Sequence, residues 1–165
     1  MSQGSCYFIT CDVSDDGEAF NDGTLVELVQ YEFDHVKDLH EDERRQVIAD
    51  LLGRFKRAGA IVEGDAVTFG DGFRAKWFAE NFQRVQELVA SMTIAEFAEG
   101  AIRDIPDSEG GLDRKYPLSL VRRLIDDGRG DAVWYGGRFY SMDDFIRGYA
   151  TGNTPFYVRG AVYMA

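Results

Sequence analysis

The chain of 165 residues has two cysteines, Cys6 and Cys11, and two histidines, His35 and His40. Two thiols do not make a disulfide framework, so the expected setting is a reducing cytoplasm. No apolar run approaches the ~20 residues of a membrane span. The opening Met1-Ser-Gln-Gly-Ser-Cys6 lacks the basic and apolar regions of a signal peptide, so no export signal is expected. Bases are scarce as well, with 18 Lys+Arg against 29 Asp+Glu and a formal net charge of −11. Direct binding to nucleic acid or to an anionic membrane needs basic patches, and this balance argues against both.

Catalytic constellations are missing too. There is no G-x-S-x-G elbow, and His35 and His40, the only imidazoles available as a base, sit among carboxylates and read as surface residues. No phosphate-binding P-loop is present, and Gly70-Asp-Gly72 is not a dinucleotide fingerprint. Cys6 and Cys11 are five apart on an expected strand, so they point to opposite faces and read as small buried hydrophobes rather than zinc ligands. Asp12-Val-Ser-Asp-Asp-Gly17 places oxygens and a glycine as the first half of a calcium loop does. The closing bidentate Glu is replaced by Gly23, which leaves an acidic turn as the reading. Pairs such as Asp126-Asp127 and Asp143-Asp144 read as caps or solvated turns, and Arg122-Arg123 and Arg138 as surface cations. Neither an enzyme, a metal nor a cofactor is expected.

What is present is apolar mass and a localised charge. At 45% hydrophobic and 13% aromatic residues, the chain supports one packed core or two small ones. Residues 1–43 hold twelve acids and one base, Lys37, whereas the remaining 122 residues carry 17 of each sign. The whole net charge therefore resides in the first quarter of the chain, the kind of asymmetry that marks an interaction surface. A solvated face that keeps the protein soluble is the plainer alternative.

The pattern reads as α+β, with short antiparallel strand pairs and intervening amphipathic helices. A first strand is expected from Cys6 to Val13, rich in aromatic and β-branched residues. Residues 24–33 fit either a strand or a capped helix, and a strand is preferred. Val47, Ile48, Leu51, Leu52 and Phe55 define a helix from Glu41 that ends near Gly59. A hairpin turning at Glu63-Gly-Asp65 follows, then a long helix with Trp77, Phe78, Phe82, Val85, Leu88, Val89 and Met92 on its buried side. Thr93-Ile-Ala-Glu96 matches a capping box. Residues 105–115, with Pro106 and Gly110-Gly111, read as a loop between an acidic region at 1–104 and a small subdomain at 116–165. That subdomain is expected to hold a helix from Pro117, a hairpin turning at Gly136-Gly137, a helix capped by Ser141, and a closing strand or hairpin from Phe156.

Within the acidic segment, Tyr7-Phe-Ile-Thr10 followed by Phe20-Asn-Asp-Gly-Thr-Leu25 resembles the opening of the ArdA-type antirestriction proteins. In that family a strand leads through an aromatic-Asn-acid-Gly-x-Leu turn into a second strand. Phe33-Asp-His-Val-Lys37 resembles the acidic helix start that comes next, and Thr93-Ile-Ala-Glu-Phe97 a later helix opening. Glu27 stands where a glycine is usual and Val29 where an aromatic is usual. The resemblance implies mimicry of the DNA phosphate backbone and occupation of the DNA site of restriction-modification enzymes. DNA presents one negative charge per ~1.7 Å of axis. Alternate strand residues and i,i+4 helix residues can present carboxylates at about 6–7 Å.

The expected function is thus a non-enzymatic inhibitor that uses an acidic surface to bind a basic nucleic-acid-binding protein, such as a restriction enzyme, a CRISPR effector or a nuclease toxin. Asp12, Asp15, Asp16, Glu18, Asp22, Glu27, Glu32, Asp34, Asp38 and Glu41 would carry the contact, with a homodimer left open. The alternative is a small-ligand or peptide-binding domain. Its expected pocket is formed by Trp134, Tyr135, Phe139, Tyr140, Tyr149, Phe156 and Tyr157.

Overall fold

The structure, a computed structural model, describes residues 4–21, 36–106, 110–126 and 130–164. The chain forms two compact units. One comprises residues 1–77 and 129–165, and the other residues 78–128.

The first unit is built on a mixed sheet. Its strands are β1 (Gly4–Thr10), β2 (Val36–Lys37), β3 (Ile61–Glu63), β4 (Ala66–Thr68), β7 (Ala132–Tyr135), β8 (Arg138–Ser141) and β9 (Phe156–Met164). Their order is β3-β4-β9-β1-β7-β8, with β2 pairing on β9. The α+β class with short antiparallel pairs is what the structure shows, and β1 and β7 add one parallel pair with Cys6 opposite Ala132. Parallel neighbours need a long crossover, so no local turn signal announces them. The last strand lies inside the sheet, flanked by β1 on one side and by β4 and β2 on the other. Phe156 onward is thus one nine-residue strand rather than a hairpin.

Because β1 and β9 are central, they are buried on both faces and read as continuous apolar runs. On one face Cys6, Phe8, Ala132, Val162 and Met164 cluster around Phe20, which is carried by the single turn α1 (Glu18–Asn21), with Trp134 and Phe139 packed against them. Away from this cluster a ring network runs through Phe55, Phe69, Phe73, Trp77, Phe145 and Phe156, with centroids 4.7–6.4 Å apart. Phe55 comes from α2 (Glu41–Arg57), and Phe145 from α6 (Met142–Tyr149). Phe73 and Trp77 open α3 (Phe73–Ser91). Trp77 Nε1 donates to Asp143 Oδ1 at 3.2 Å, so its indole N–H is satisfied inside the core.

The hairpins form as the turn chemistry predicts. Gly136 and Gly137 both have positive φ, 59° and 78°, the conformation a two-residue hairpin turn requires. Ser141 caps α6 by accepting from the Asp144 N–H at 3.1 Å.

The second unit contains α3 from residue 78 on, α4 (Ile94–Ala98), the hairpin of β5 (Arg103–Pro106) and β6 (Leu112–Lys115), and α5 (Pro117–Asp126). Leu88, Ile105, Leu120 and Val121 form its core, with Val85, Met92 and Leu124 against them. The capping box is complete. Thr93 Oγ1 accepts from the Glu96 N–H at 3.2 Å, and Glu96 Oε1 accepts from the Thr93 N–H at 2.9 Å.

Four expectations are corrected. The segment at 105–115 is not a boundary loop: its ends pair as β5 and β6, with Ile105 buried in the core, and the division falls elsewhere because β9 must pair with β1. The first strand ends at Thr10, short of Val13. Cys11 therefore lies past the strand and is exposed, although Cys6 is buried as expected. On α3, Phe82 and Val89 are 62% and 55% exposed, because its second half packs on the core through Val85 and Leu88, with Met92 just past its end.

Candidate acidic interaction site

Residues 11–17 leave the end of β1 as a tight turn into α1. Asp12 Oδ1 accepts from the Ser14 N–H at 2.9 Å and from the Ser14 hydroxyl at 2.7 Å. Asp15 Oδ1 accepts from the Gly17 N–H at 3.0 Å, and Asp16 Oδ1 from the Glu18 N–H at 2.9 Å. Aspartate side chains bonding the backbone two residues on are a recurrent turn device. Asp12, Asp15, Asp16 and Glu18 are all exposed. The Ser14 hydroxyl and N–H hold the Asp12 carboxyl below its ordinary range, with the Arg159 charge a smaller pull in the same direction. It is therefore ionised at neutral pH.

The turn is fastened to the sheet by Arg159. Opposite β1, Phe8 pairs with Gly160 and Ile9 with Val158, so Arg159 is the extra residue of a β-bulge. Bulges re-aim side chains, and this one sends a guanidinium toward the turn. Arg159 Nη1 donates to the carbonyls of Val13 and Asp15, each at 2.9 Å. Its Nε donates to Asp65 Oδ2 at 2.6 Å, and its Cζ lies 4.6 Å from the Tyr157 ring centroid. Its own carbonyl accepts from Asn21 Nδ2 at 2.9 Å. Gly17 completes the fit, since at φ +73° a Cβ there would stand 2.7 Å from the Arg159 oxygen. The cation is thus bonded to backbone oxygens and to Asp65, and the turn's own carboxylates are not its hydrogen-bond partners.

Of the ten acids expected to form the contact, the structure brings Asp12, Asp15 and Asp16 together in this turn, with Glu18 next to them as the first residue of α1. Asp38 and Glu41 are exposed but form a second group, after β2 and at the start of α2, where Glu41 pairs with Arg45 one helical turn on. Asp42 and Glu43 share that first turn, where the helix dipole favours negative charge. Gly17 meets β9 at Arg159, and Lys37 of β2 meets it at Tyr163, about 13 Å further along at ~3.3 Å per residue. Asp22, Glu27, Glu32 and Asp34 lie outside the described residues, as do residues 24–33 and most of the Phe20-Asn-Asp-Gly-Thr-Leu25 motif.

Sequence reasoning missed Arg159, Asp65 and Tyr157 as the framework of the turn. The available signal was Arg159-Gly160 inside an otherwise apolar strand, since a glycine there often marks a bulge.

The aromatic residues expected to line a pocket are divided. Trp134 and Phe139, with centroids 4.5 Å apart, join the cluster around Phe20. Tyr135 packs instead against Phe145, edge-on, and against Phe156, with ring centroids 5.4 and 5.8 Å away, as alternation along a strand demands. Tyr140 and Tyr149 share a hydroxyl hydrogen bond of 3.0 Å at the surface, and Tyr157 lies beneath Arg159.

Among the described residues no group of three or more His, Cys, Asp or Glu is placed to hold a metal ion. No helix among them is long and apolar enough to cross a membrane. The chain matches no protein-family model, no curated protein and no solved structure, so function is read from the site itself.

Proposed function

We propose that the protein is a non-enzymatic inhibitor whose acidic N-terminal surface binds a basic nucleic-acid-binding protein, competing with the nucleic acid for its cationic channel. One observation carries this reading: three exposed aspartates, followed by the exposed Glu18, are held in a turn fastened to the sheet by Arg159, within the 43 residues that contain the whole net charge. A fixed set of carboxylates loses less conformational entropy on binding than a mobile one. Anionic fields of this kind accelerate association with a basic partner and make it salt-sensitive. The partner classes that fit are restriction-modification enzymes, CRISPR effectors and nuclease toxins, which share a channel built for phosphates.

The test is DNA-binding competition with purified enzymes of these classes. The wild-type chain is compared with a variant carrying Asp12→Asn, Asp15→Asn, Asp16→Asn, Glu18→Gln, Asp38→Asn and Glu41→Gln. The wild type should displace DNA, more weakly as salt rises, and the variant should lose the effect. A variant that inhibits equally, with the same salt dependence, overturns the reading.

A further inference from the structure

In a chain with eleven more acids than bases, one surface groove has the opposite character. It lies in the second unit, where the end of β6 meets one face of α5, and has a volume of about 300 Å³. Its lining consists of Arg114, Lys115, Tyr116, Ser119, Leu120 and Arg123. Every charged side chain among these is cationic, and no Asp or Glu is among the described residues lining it. The placement follows from the elements. Arg114 and Lys115 end β6, Tyr116 is the single residue before the helix, and Ser119, Leu120 and Arg123 recur on one helical face.

We propose that this groove binds a phosphorylated small molecule, with its phosphate between the Arg114 and Arg123 guanidiniums. Guanidinium forks match phosphate oxygens two at a time, and the Ser119 hydroxyl adds a neutral donor. Leu120 is 3% exposed and gives the groove an apolar floor. Tyr116 is 51% exposed and offers its ring as a stacking surface to a planar group on the ligand. Arg114 has one modest competitor, Asp104, with 3.7 Å between Nε and Oδ1, on side chains 80% and 59% exposed. An exposed pair at that distance is worth little, so a dianionic phosphate displaces it. The groove shares no residue with the acidic turn, and this proposal does not depend on the inhibitor reading.

The experiment is isothermal titration of the full chain at low ionic strength with pyrophosphate, adenosine monophosphate and ribose 5-phosphate. Saturable one-site binding is expected. Arg114→Ala and Arg123→Ala should each weaken it by about tenfold or more, the loss of one charge-assisted contact. Arg122→Ala, an exposed neighbour outside the lining, should leave it unchanged. Tyr116→Ala should weaken adenosine monophosphate and spare ribose 5-phosphate. Circular dichroism of each variant verifies the fold, and Arg123→Lys serves where Arg123→Ala does not fold, since it keeps the charge and loses the fork. Absence of saturable binding, or binding indifferent to Arg114 and Arg123, overturns the proposal.

Discussion

At the scale of single residues, Arg159 ties three parts of the first unit together. It joins the acidic turn through two carbonyls, the β3–β4 hairpin through Asp65, and α1 through its own carbonyl. Arg159→Met keeps most of the apolar stem and removes the donors. It should cost about 2–3 kcal/mol in urea unfolding, and amide exchange in residues 12–18 should accelerate more than in β7 and β8. Asp65→Asn should cost less, because Asp65 is half-exposed and only one partner is lost. In the sequence only the pair Arg159-Gly160 hints at this framework. An arginine in a strand is ordinarily a solvated side chain, and a bulge depends on the register between β1 and β9, whose residues stand about 150 positions apart. Burial in β1 has its own signature. It pushes the Cys6 thiol and the Tyr7 hydroxyl each up to about 12, with the Asp131 charge a second cause for both. A raised value in the folded state means stability is full below the unfolded-state values, 9.0 for Cys6 and 10.0 for Tyr7, and is lost as pH climbs to about 12. Stability should hold to about pH 9 and then fall by up to about 1.4 kcal/mol per pH unit for each group within its window. Tyr7→Phe should flatten the part of that fall above about pH 10, read from denaturant midpoints across the alkaline range.

At the scale of elements, signals a few residues long were readable and longer ones were not. The capping box at Thr93, the cap at Ser141 and the glycine turn at 136–137 each depend on three or four neighbouring residues, and each is present. The hairpin at 103–115 was missed because Pro106 and the glycine pair outweigh four-residue strands in any local reading. The buried side of α3 is narrower than its apolar pattern for the opposite reason: Phe82 and Val89 are apolar, and only tertiary packing decides which stripe the core uses. Helix α4 offers a clean comparison. Thr93→Ala removes one half of the box and should cost about 1 kcal/mol. Glu96 does two jobs. It completes the box, and its Oε2 lies 2.9 Å from Arg103 Nε with the Glu side chain 6% exposed, an ion pair off the line of a hydrogen bond. Glu96→Gln can keep the box but removes the charge facing Arg103, so it should cost more than Thr93→Ala, about 2 kcal/mol. Chemical denaturation of the two single variants and the double variant separates cap from ion pair. Non-additivity of at least about 0.5 kcal/mol is expected, because both changes act through Glu96.

At the scale of the whole molecule, the location of the charge was legible by counting, whereas its arrangement depended on the sheet. The described acids of residues 1–43 fall into two groups attached to one strand, β9, which lies more than a hundred residues away in the chain and pairs with β1 and β2. No local pattern places the last strand inside a sheet, so no reading of residues 1–43 alone would have found what holds them. The concentration of like charge has a physical consequence that requires no partner. Twelve carboxylates within 43 residues repel one another with a single lysine to offset them, while the balanced remainder does not add to the repulsion. At about 0.01 M salt the screening length is ~30 Å and the groups along β9 interact; at about 0.15 M it is ~8 Å and they scarcely do. The melting temperature should therefore rise with sodium chloride over this range, by about 2–4 °C for each kcal/mol of repulsion screened. Scanning calorimetry of the wild type and of the variant carrying Asp12→Asn, Asp15→Asn, Asp16→Asn and Glu18→Gln is the measurement. The variant should start from a higher melting temperature at low salt and gain less from added salt. Parallel salt curves for the two proteins would mean that the turn acids do not contribute to the repulsion, and that the field available to a basic partner comes from elsewhere in residues 1–43.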